Sequence, residues 1–269
     1  MTPRVLLVCH STRPRGGLIH TVSLGEALLD QGIDARLVAL GDPAAGLFRP
    51  TPLPHTIVAA PPAADTLEER VFDAVDALEA GLSELCPPGA VLHAQDCIAA
   101  RAACRIRDGH RGPARPGVVV VRTVHHVDDF TTPALIECQQ RAILDPDRLL
   151  VVSDHWRELL AADYGVDATV VRNGVDPDRF GPAPAAGERE RFRARAGIGP
   201  DTFLILTVGG IEPRKGSVTL LEAMGEVAAR ANGSRSRAVL AVVGGHTFFD
   251  YRAYRDSALA RLPALGLVE

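Results

Sequence analysis

One lysine is conspicuous among the residues whose chemistry could serve a function. Lys215 is the only lysine among 29 lysine and arginine residues, and it lies in the stretch GGIEPRKGS between a predicted strand and a predicted helix. Gly209 and Gly210 would let the backbone approach a ligand closely. Arg214 and Lys215 put two cations at the start of the helix, where the helix dipole disfavours them by about 0.3–1 kcal/mol. A bound anion would offset that cost. A compact ammonium on a flexible stem can follow a phosphate whose charge shifts during a reaction. The alternative is a surface lysine without a ligand.

Two more glycine pairs follow predicted strands. Gly16 and Gly17 open a helix after the first strand, and bare N–H groups at a helix N-terminus favour phosphate. Their sequence fits neither GxGxxG nor GxxxxGK[ST], so the usual dinucleotide and P-loop interpretations fail, and a turn without a ligand remains the alternative. Gly244 and Gly245 follow a later strand and would allow close approach of a nucleotide base or ribose.

Polar side chains follow two central strands. His93 and Asp96 lie in HAQD, where His93 is predicted to be a structural histidine near the carboxyl edge of the sheet. His125 and His126 come directly after the next strand and should point to opposite faces, which disfavours a metal site. His125 is predicted to face a cleft, where it could hydrogen-bond a sugar hydroxyl or the reacting centre.

The elements that position these residues alternate between strand and helix. Near-continuous apolar strand patterns are typical of parallel strands buried on both faces, so we expect a doubly wound α/β fold. Residues 1–176 form the first predicted domain, 177–187 are a proline- and alanine-rich linker, and 188–269 begin a second domain with two strands. The alternative is one large sheet containing both halves.

Composition excludes several classes of protein. The net charge of −4 and the absence of a basic run interleaved with aromatics argue against nucleic-acid binding. The five cysteines lack CxxC spacing, so neither a disulfide framework nor a zinc ribbon is expected. This use of cysteine predicts that the protein works in the reducing cytoplasm. The N-terminal apolar run is too short for a signal peptide, and no segment has the length of a membrane span.

The segments RPRGG, TVHH, VVRNGVD, VGGIEPRKG and VVGG, in this order, resemble the retaining glycosyltransferases of family 4. That resemblance implies a GT-B fold with two Rossmann-like domains and a nucleotide-diphosphate sugar as donor. In the first domain it implies that Gly16 and Gly17 lie against the donor phosphate or sugar, and that His125 lies beside the transferred sugar. Asn173 would close this domain and begin the crossing to the second.

In the second domain the resemblance implies that Lys215 binds the donor diphosphate and that Gly244 and Gly245 lie along the nucleotide. Gly210 occupies a position where the family commonly has arginine, so Arg214 would supply that charge from another angle. The family's later pair of glutamates has no counterpart and would lie beyond Glu269, so the second domain is expected to be incomplete.

The implied reaction transfers a sugar to an acceptor hydroxyl with retention of configuration, with no metal and no cofactor. The acceptor is a sugar or a lipid, and a lipid would bring the protein to a membrane surface; the oligomeric state is left open. One rival is a sugar-nucleotide epimerase, for which Asp96, Asp128 and Asp129 are the candidate acid–base groups. Another is a non-catalytic module that binds a nucleotide sugar.

Overall fold

The computed structural model describes residues 4–181, 187–230, 238–244 and 251–267. The chain forms two compact units, Met1–Val175 and Asp176–Glu269. The division falls one residue before the end of the predicted first domain.

The first unit contains a seven-stranded parallel sheet of order β3-β2-β1-β4-β5-β6-β7. Its strands are β1 (Val5–Cys9), β2 (Ala35–Gly41), β3 (His55–Ala59), β4 (Val91–Ala94), β5 (Val119–Val124), β6 (Arg148–Val151) and β7 (Thr169–Val170). Consecutive residues Leu6, Leu7 and Val8 are each 0% exposed. Because neighbouring side chains of a strand point to opposite faces, both faces of this sheet are covered.

Five helices connect these strands: α1 (Gly16–Asp30), α2 (Leu67–Leu85), α3 (Cys97–Asp108), α4 (Pro133–Leu144) and α5 (Asp154–Tyr164). A capping box begins α2, since the Glu69 N–H donates to Thr66 Oγ1 and the Thr66 N–H donates to Glu69 Oε2, each at 3.1 Å. Asp96 caps α3 with its side chain alone, which accepts the N–H of Ala99. Gly109 and Gly165 end α3 and α5 in the left-handed conformation that glycine adopts without strain.

The second unit has a separate sheet of two parallel strands in the part of the chain that the structure describes. Its elements are α6 (Glu188–Arg195), β8 (Phe203–Val208), α7 (Ser217–Arg230), β9 (Ala238–Val243) and α8 (Arg252–Leu259), with short 3₁₀ turns at Pro213–Lys215 and Pro263–Leu265. Leu240 of β9 packs against a core built on Leu221 of α7 and Ala258 of α8. On the opposite face of the strands, Leu206 is 54% and Val208 is 73% exposed.

The predicted alternation of strands and helices is therefore confirmed, and the alternative of one continuous sheet is wrong. The last strand of the first unit's sheet is short, because Thr169–Val170 are the residues that pair with β6 at the edge of the sheet. All five cysteines are free thiols, four of them buried. No helix in the described ranges combines the length and apolarity needed to cross a membrane.

Candidate functional site

The carboxyl ends of three adjacent strands bring polar side chains together in the first unit. His10 follows β1, Gln95 and Asp96 follow β4, and His125 follows β5. Ligands of open α/β sheets bind at this edge. The sheet order β1-β4-β5 makes these side chains neighbours, and it does so with residues that are far apart in the sequence.

His125 is held by two contacts at this edge. Its Nε2 lies 3.1 Å from Oε1 of Gln95. Its ring meets the ring of His20, on α1, edge to face with centroids 4.8 Å apart. Burial, and then the nearby His20, lower the pKa of His125 to about 4, so the imidazole is neutral at pH 7. A neutral imidazole presents one donor and one acceptor to its surroundings.

His20 links His125 to Asn173, near the C-terminal end of the first unit. Burial lowers the pKa of His20, and a hydrogen bond with the side chain of Asn173 opposes that shift. Asn173, His20, His125 and Gln95 thus form one continuous chain of contacts. The sequence analysis identified Asn173 and His125 separately. The structure connects them through His20, which that analysis did not identify.

His93 is a structural histidine in this arrangement. Its Nε2 lies 2.8 Å from the hydroxyl oxygen of Thr123, and the residue is 8% exposed. Burial, and then the nearby His20, lower the pKa of His93 to about 4. A buried neutral imidazole with a hydroxyl partner satisfies its polar group at little cost.

Asp96 has both carboxylate oxygens occupied. Oδ1 accepts the N–H of Ala99 at 2.8 Å, and Oδ2 accepts the backbone N–H of His10 at 2.9 Å and lies 3.0 Å from its Nδ1. Burial alone would raise the pKa of Asp96, but His10 and these two backbone groups together hold it below its usual value. Asp96 therefore ties β1 to the start of α3 as an ionised cap.

The two adjacent histidines after β5 have different partners. His126 lies 3.3 Å from Asp128, whereas His125 contacts Gln95 and His20. No group of three or more histidine, cysteine or acidic side chains in the described residues is arranged to hold a metal ion.

Gly16 and Gly17 begin α1, as predicted. The N-cap, Arg15, makes no side-chain capping hydrogen bond. A side chain added at either glycine would meet nothing within 4 Å, so the backbone faces open space on that side. The Thr21 hydroxyl donates to the Gly17 carbonyl at 2.6 Å and lies 3.0 Å from the buried thiol of Cys9, which fixes this first turn against β1.

In the second unit, the turn after β8 requires glycine. Gly209 has φ = 146°, a value that other residues rarely adopt, and its N–H donates to the Val243 carbonyl at 2.8 Å. A Cβ at Gly244 would overlap the Gly209 carbonyl. The ends of β8 and β9 therefore pack backbone against backbone. Gly210 follows directly in this turn, while Gly245 lies outside the described residues.

Lys215 folds its side chain back over this turn. A Cβ built at Gly209 would lie 3.6 Å from Cε and 4.0 Å from Nζ of Lys215. The lysine ends the 3₁₀ turn Pro213–Lys215, and Gly216, with φ = 63°, joins that turn to α7. The ammonium thus lies beside the carboxyl end of β8, on a turn whose shape depends on two glycines.

Arg214 has a different environment from its neighbour. Its guanidinium lies 3.5 Å from the carboxylate of Glu212, a residue that is 7% exposed. Ser217 holds Glu212 through hydrogen bonds with its backbone N–H and carbonyl. Lys215 makes no ion pair with a carboxylate in the described ranges, so its charge is the less compensated of the two.

Gln95 and His20 are the site residues that sequence reasoning missed. Gln95 adjoins Asp96 in HAQD, so its place after a strand was visible, but an amide carries no charge to draw attention. His20 lies one turn after Gly16 and Gly17, where helical spacing could have indicated it.

The Glycosyltransferase Family 4 profile matches residues 14–179, more than half of the chain. Among curated proteins, D-inositol 3-phosphate glycosyltransferase 2 of Catenulispora acidiphila is 36% identical over 121 residues, which are 44% of this chain and 27% of that protein. The chain thus spans about a quarter of that relative.

Two solved structures illustrate the fold likeness. HepE of Anabaena in complex with UDP-glucose is 16% identical with a TM-score of 0.68, over 98% of this chain and 66% of that one. UDP-N-acetylglucosamine 2-epimerase of Rickettsia bellii is 16% identical with a TM-score of 0.57, over 99% of this chain and 67% of that one. These likenesses, with the parallel sheets, confirm the predicted α/β fold of GT-B type. On the match over residues 14–179, the chain belongs to glycosyltransferase family 4.

Proposed function

We propose that this chain provides the acceptor-side domain and the diphosphate-binding turn of a glycosyltransferase. The enzyme would move a sugar from a nucleotide-diphosphate donor to an acceptor hydroxyl, with retention of configuration and without a metal ion. Family membership supports the class of reaction, and the relatives' names point to sugar nucleotides and polyol phosphates as substrates.

The observation that carries the proposal is the position of Lys215. Its ammonium lies over a glycine turn at the carboxyl end of a parallel strand, which is where α/β folds bind phosphates. Departure of a nucleoside diphosphate leaves negative charge on phosphate oxygens, and one aligned cation typically stabilises such a transition state by about 3 kcal/mol. A compact ammonium can serve this role in place of a divalent ion.

The first unit would contribute groups of another kind. The neutral imidazole of His125 can hydrogen-bond a sugar hydroxyl, and the uncapped amides of Gly16 and Gly17 can donate to a phosphate or sugar oxygen. None of these groups is a carboxylate poised to attack the anomeric carbon. The proposal therefore rests on leaving-group stabilisation and not on a covalent enzyme intermediate.

The test is sugar transfer by the purified chain. UDP-glucose is supplied as donor and D-inositol 3-phosphate as acceptor, with and without EDTA, and the product is analysed by NMR. We expect release of UDP and a glycoside that keeps the anomeric configuration of the donor, at a rate that EDTA leaves unchanged. Inversion at the anomeric carbon, or loss of transfer in EDTA, would contradict the mechanism. Nucleotide binding without any transfer would identify the non-catalytic module.

The epimerase is the second candidate, because the fold is similar to that of the Rickettsia bellii enzyme. The occupied oxygens of Asp96 disfavour it, since a carboxylate that caps a helix and pairs with His10 is poorly placed to move a proton on a sugar carbon. Incubation with UDP-N-acetylglucosamine and no acceptor separates the two functions. An isomerised sugar in that reaction would favour the epimerase.

A further inference from the structure

Gln95 is fixed at the junction of β4 and α3. The residue is 3% exposed, and its backbone N–H donates to the Val8 carbonyl at 3.0 Å, which extends the ladder between β4 and β1. The next residue, Asp96, caps α3. The backbone of Gln95 is therefore held on both sides, so its side chain can set the orientation of a neighbour.

That neighbour is His125. The amide oxygen Oε1 of Gln95 lies 3.1 Å from Nε2 of the imidazole, and an amide oxygen is an acceptor only. With the amide in this orientation, the neutral imidazole carries its proton on Nε2, which leaves Nδ1 unprotonated and able to accept. No residue in the described ranges hydrogen-bonds Nδ1.

The other groups around His125 do not impose a tautomer. His20 meets its ring edge to face, His93 is bonded to Thr123, and His126 lies beside Asp128. Asp96, whose charge raises the pKa of His125, has both oxygens occupied by other donors. Gln95 is thus the side chain positioned to choose between the two neutral forms.

We propose that Gln95 is a positioning residue that holds His125 in the Nε2–H form, so that Nδ1 accepts a hydrogen bond from a hydroxyl of the substrate. The tautomer follows from the contact alone, while the hydroxyl rests on the proposed function. Gln95 acts through His125 and need not touch the substrate.

The test is the tautomer of His125, read by ¹H–¹⁵N NMR on the ¹⁵N-histidine-labelled chain, with His125→Gln used to assign its signals. In the wild type we expect the protonated nitrogen to be the one that correlates with both carbon-bound ring protons, which is Nε2. Gln95→Leu removes the acceptor, so the signals should move toward a mixture of tautomers. Protonation on Nδ1 in the wild type would overturn the proposal, because it would mean that the amide donates from its nitrogen.

Two further variants keep the result interpretable. Gln95→Glu preserves the shape and places a carboxylate beside the ring, so the titration midpoint of His125 should rise by about 1–3 pH units. Thr123→Val removes the hydroxyl partner of His93 and is the matched control, which should leave the His125 tautomer unchanged. An unchanged tautomer in Gln95→Leu together with an unshifted midpoint in Gln95→Glu would contradict the proposal.

These readouts need neither donor nor acceptor. A wrong tautomer with sugar transfer intact would reject the role of Gln95 and leave the proposed function standing. The predicted tautomer without nucleotide binding or transfer would reject the proposed function alone.

Discussion

The two units build parallel strands from the same kinds of residue and bury them to different extents. In the first unit, Leu92 of β4 and Val120 of β5 are 0% exposed. In the second, Leu206 of β8 is 54% and Val243 of β9 is 50% exposed. An apolar strand pattern therefore predicts the strand, but whether both faces are covered depends on the helices that pack on the sheet.

The two units also position their candidate functional side chains in different ways. The first unit holds a chain of hydrogen-bonding side chains at the end of a sheet whose central strands are largely buried, and the neutral state of its histidines depends on burial. The second unit holds the charged side chain of Lys215 on a glycine turn, at an exposed position outside the buried core. Substitutions in the two units should accordingly differ in which property they change.

The largest difference should appear in the cores. Leu92→Ala removes a fully buried side chain and should lower the free energy of unfolding by about 2–5 kcal/mol. Leu206→Ala makes the same change at a half-exposed position and should cost about 1 kcal/mol or less. Urea unfolding followed by circular dichroism, with Trp156 fluorescence as a probe of the first unit alone, measures both. Equal losses would show that β8 is as well covered as β4.

Acid should act on the first unit more than on the second. Every histidine except His246 lies in the first unit. The folded pKa of His93 is about 4, below the unfolded value of 6.5, so as the pH falls through that window the unfolded chain binds the proton and the folded chain does not. Stability is unaffected above pH 6.5 and falls between about pH 6.5 and 4, by on the order of 3 kcal/mol for this group.

The variant His93→Gln should make that dependence less steep, by the part that His93 contributes, when unfolding is measured by Trp156 fluorescence at a series of pH values. The part due to His125, whose pKa is also lowered to about 4, should remain. His155→Gln, at an exposed position of α5, is the matched control for the exchange of a histidine for glutamine. A slope in His93→Gln as steep as that of the wild type would mean that this imidazole does not resist protonation in the folded state.

A surface cap should matter least. Thr66→Ala removes the hydroxyl that accepts the Glu69 N–H and leaves the backbone N–H that donates to Glu69, and it should cost about 1 kcal/mol. Ser83→Ala, on the exposed face of the same helix, removes a hydroxyl that bonds only a helical carbonyl and should be close to neutral. If the two variants unfolded at the same urea concentration, the capping box would not contribute.

Local sequence signals predicted most of the fold. The capping box of α2, the glycine pair that opens α1 and the apolar strands β1 and β5 all depend on residues within a few positions of each other. The last strand of the first unit, β7, is only two residues long, because it pairs with β6 alone and an edge strand ends where its single partner ends.

The candidate site was only partly predictable. Asp96 was predicted as a substrate-binding residue, and as an acid–base group only for the rival epimerase. The structure also shows it capping α3, and its position three residues before Ala99 at a helix start was the signal for that role. The contacts of His125 with His20 and Gln95 join three different elements. No local pattern encodes such contacts, because the order of strands in the sheet creates them.

The measurement that tests the account most directly is the affinity of UDP for two neighbouring variants of the second unit, determined by calorimetry. Lys215→Ala removes the cation that lies over the Gly209 turn and should weaken binding roughly ten- to a hundredfold, and Lys215→Arg should restore only part of it. Arg214→Ala, whose charge Glu212 already offsets, should weaken binding only a few-fold. Equal affinity in the wild type and Lys215→Ala, or a larger loss in Arg214→Ala, would contradict the claim that this lysine binds the diphosphate.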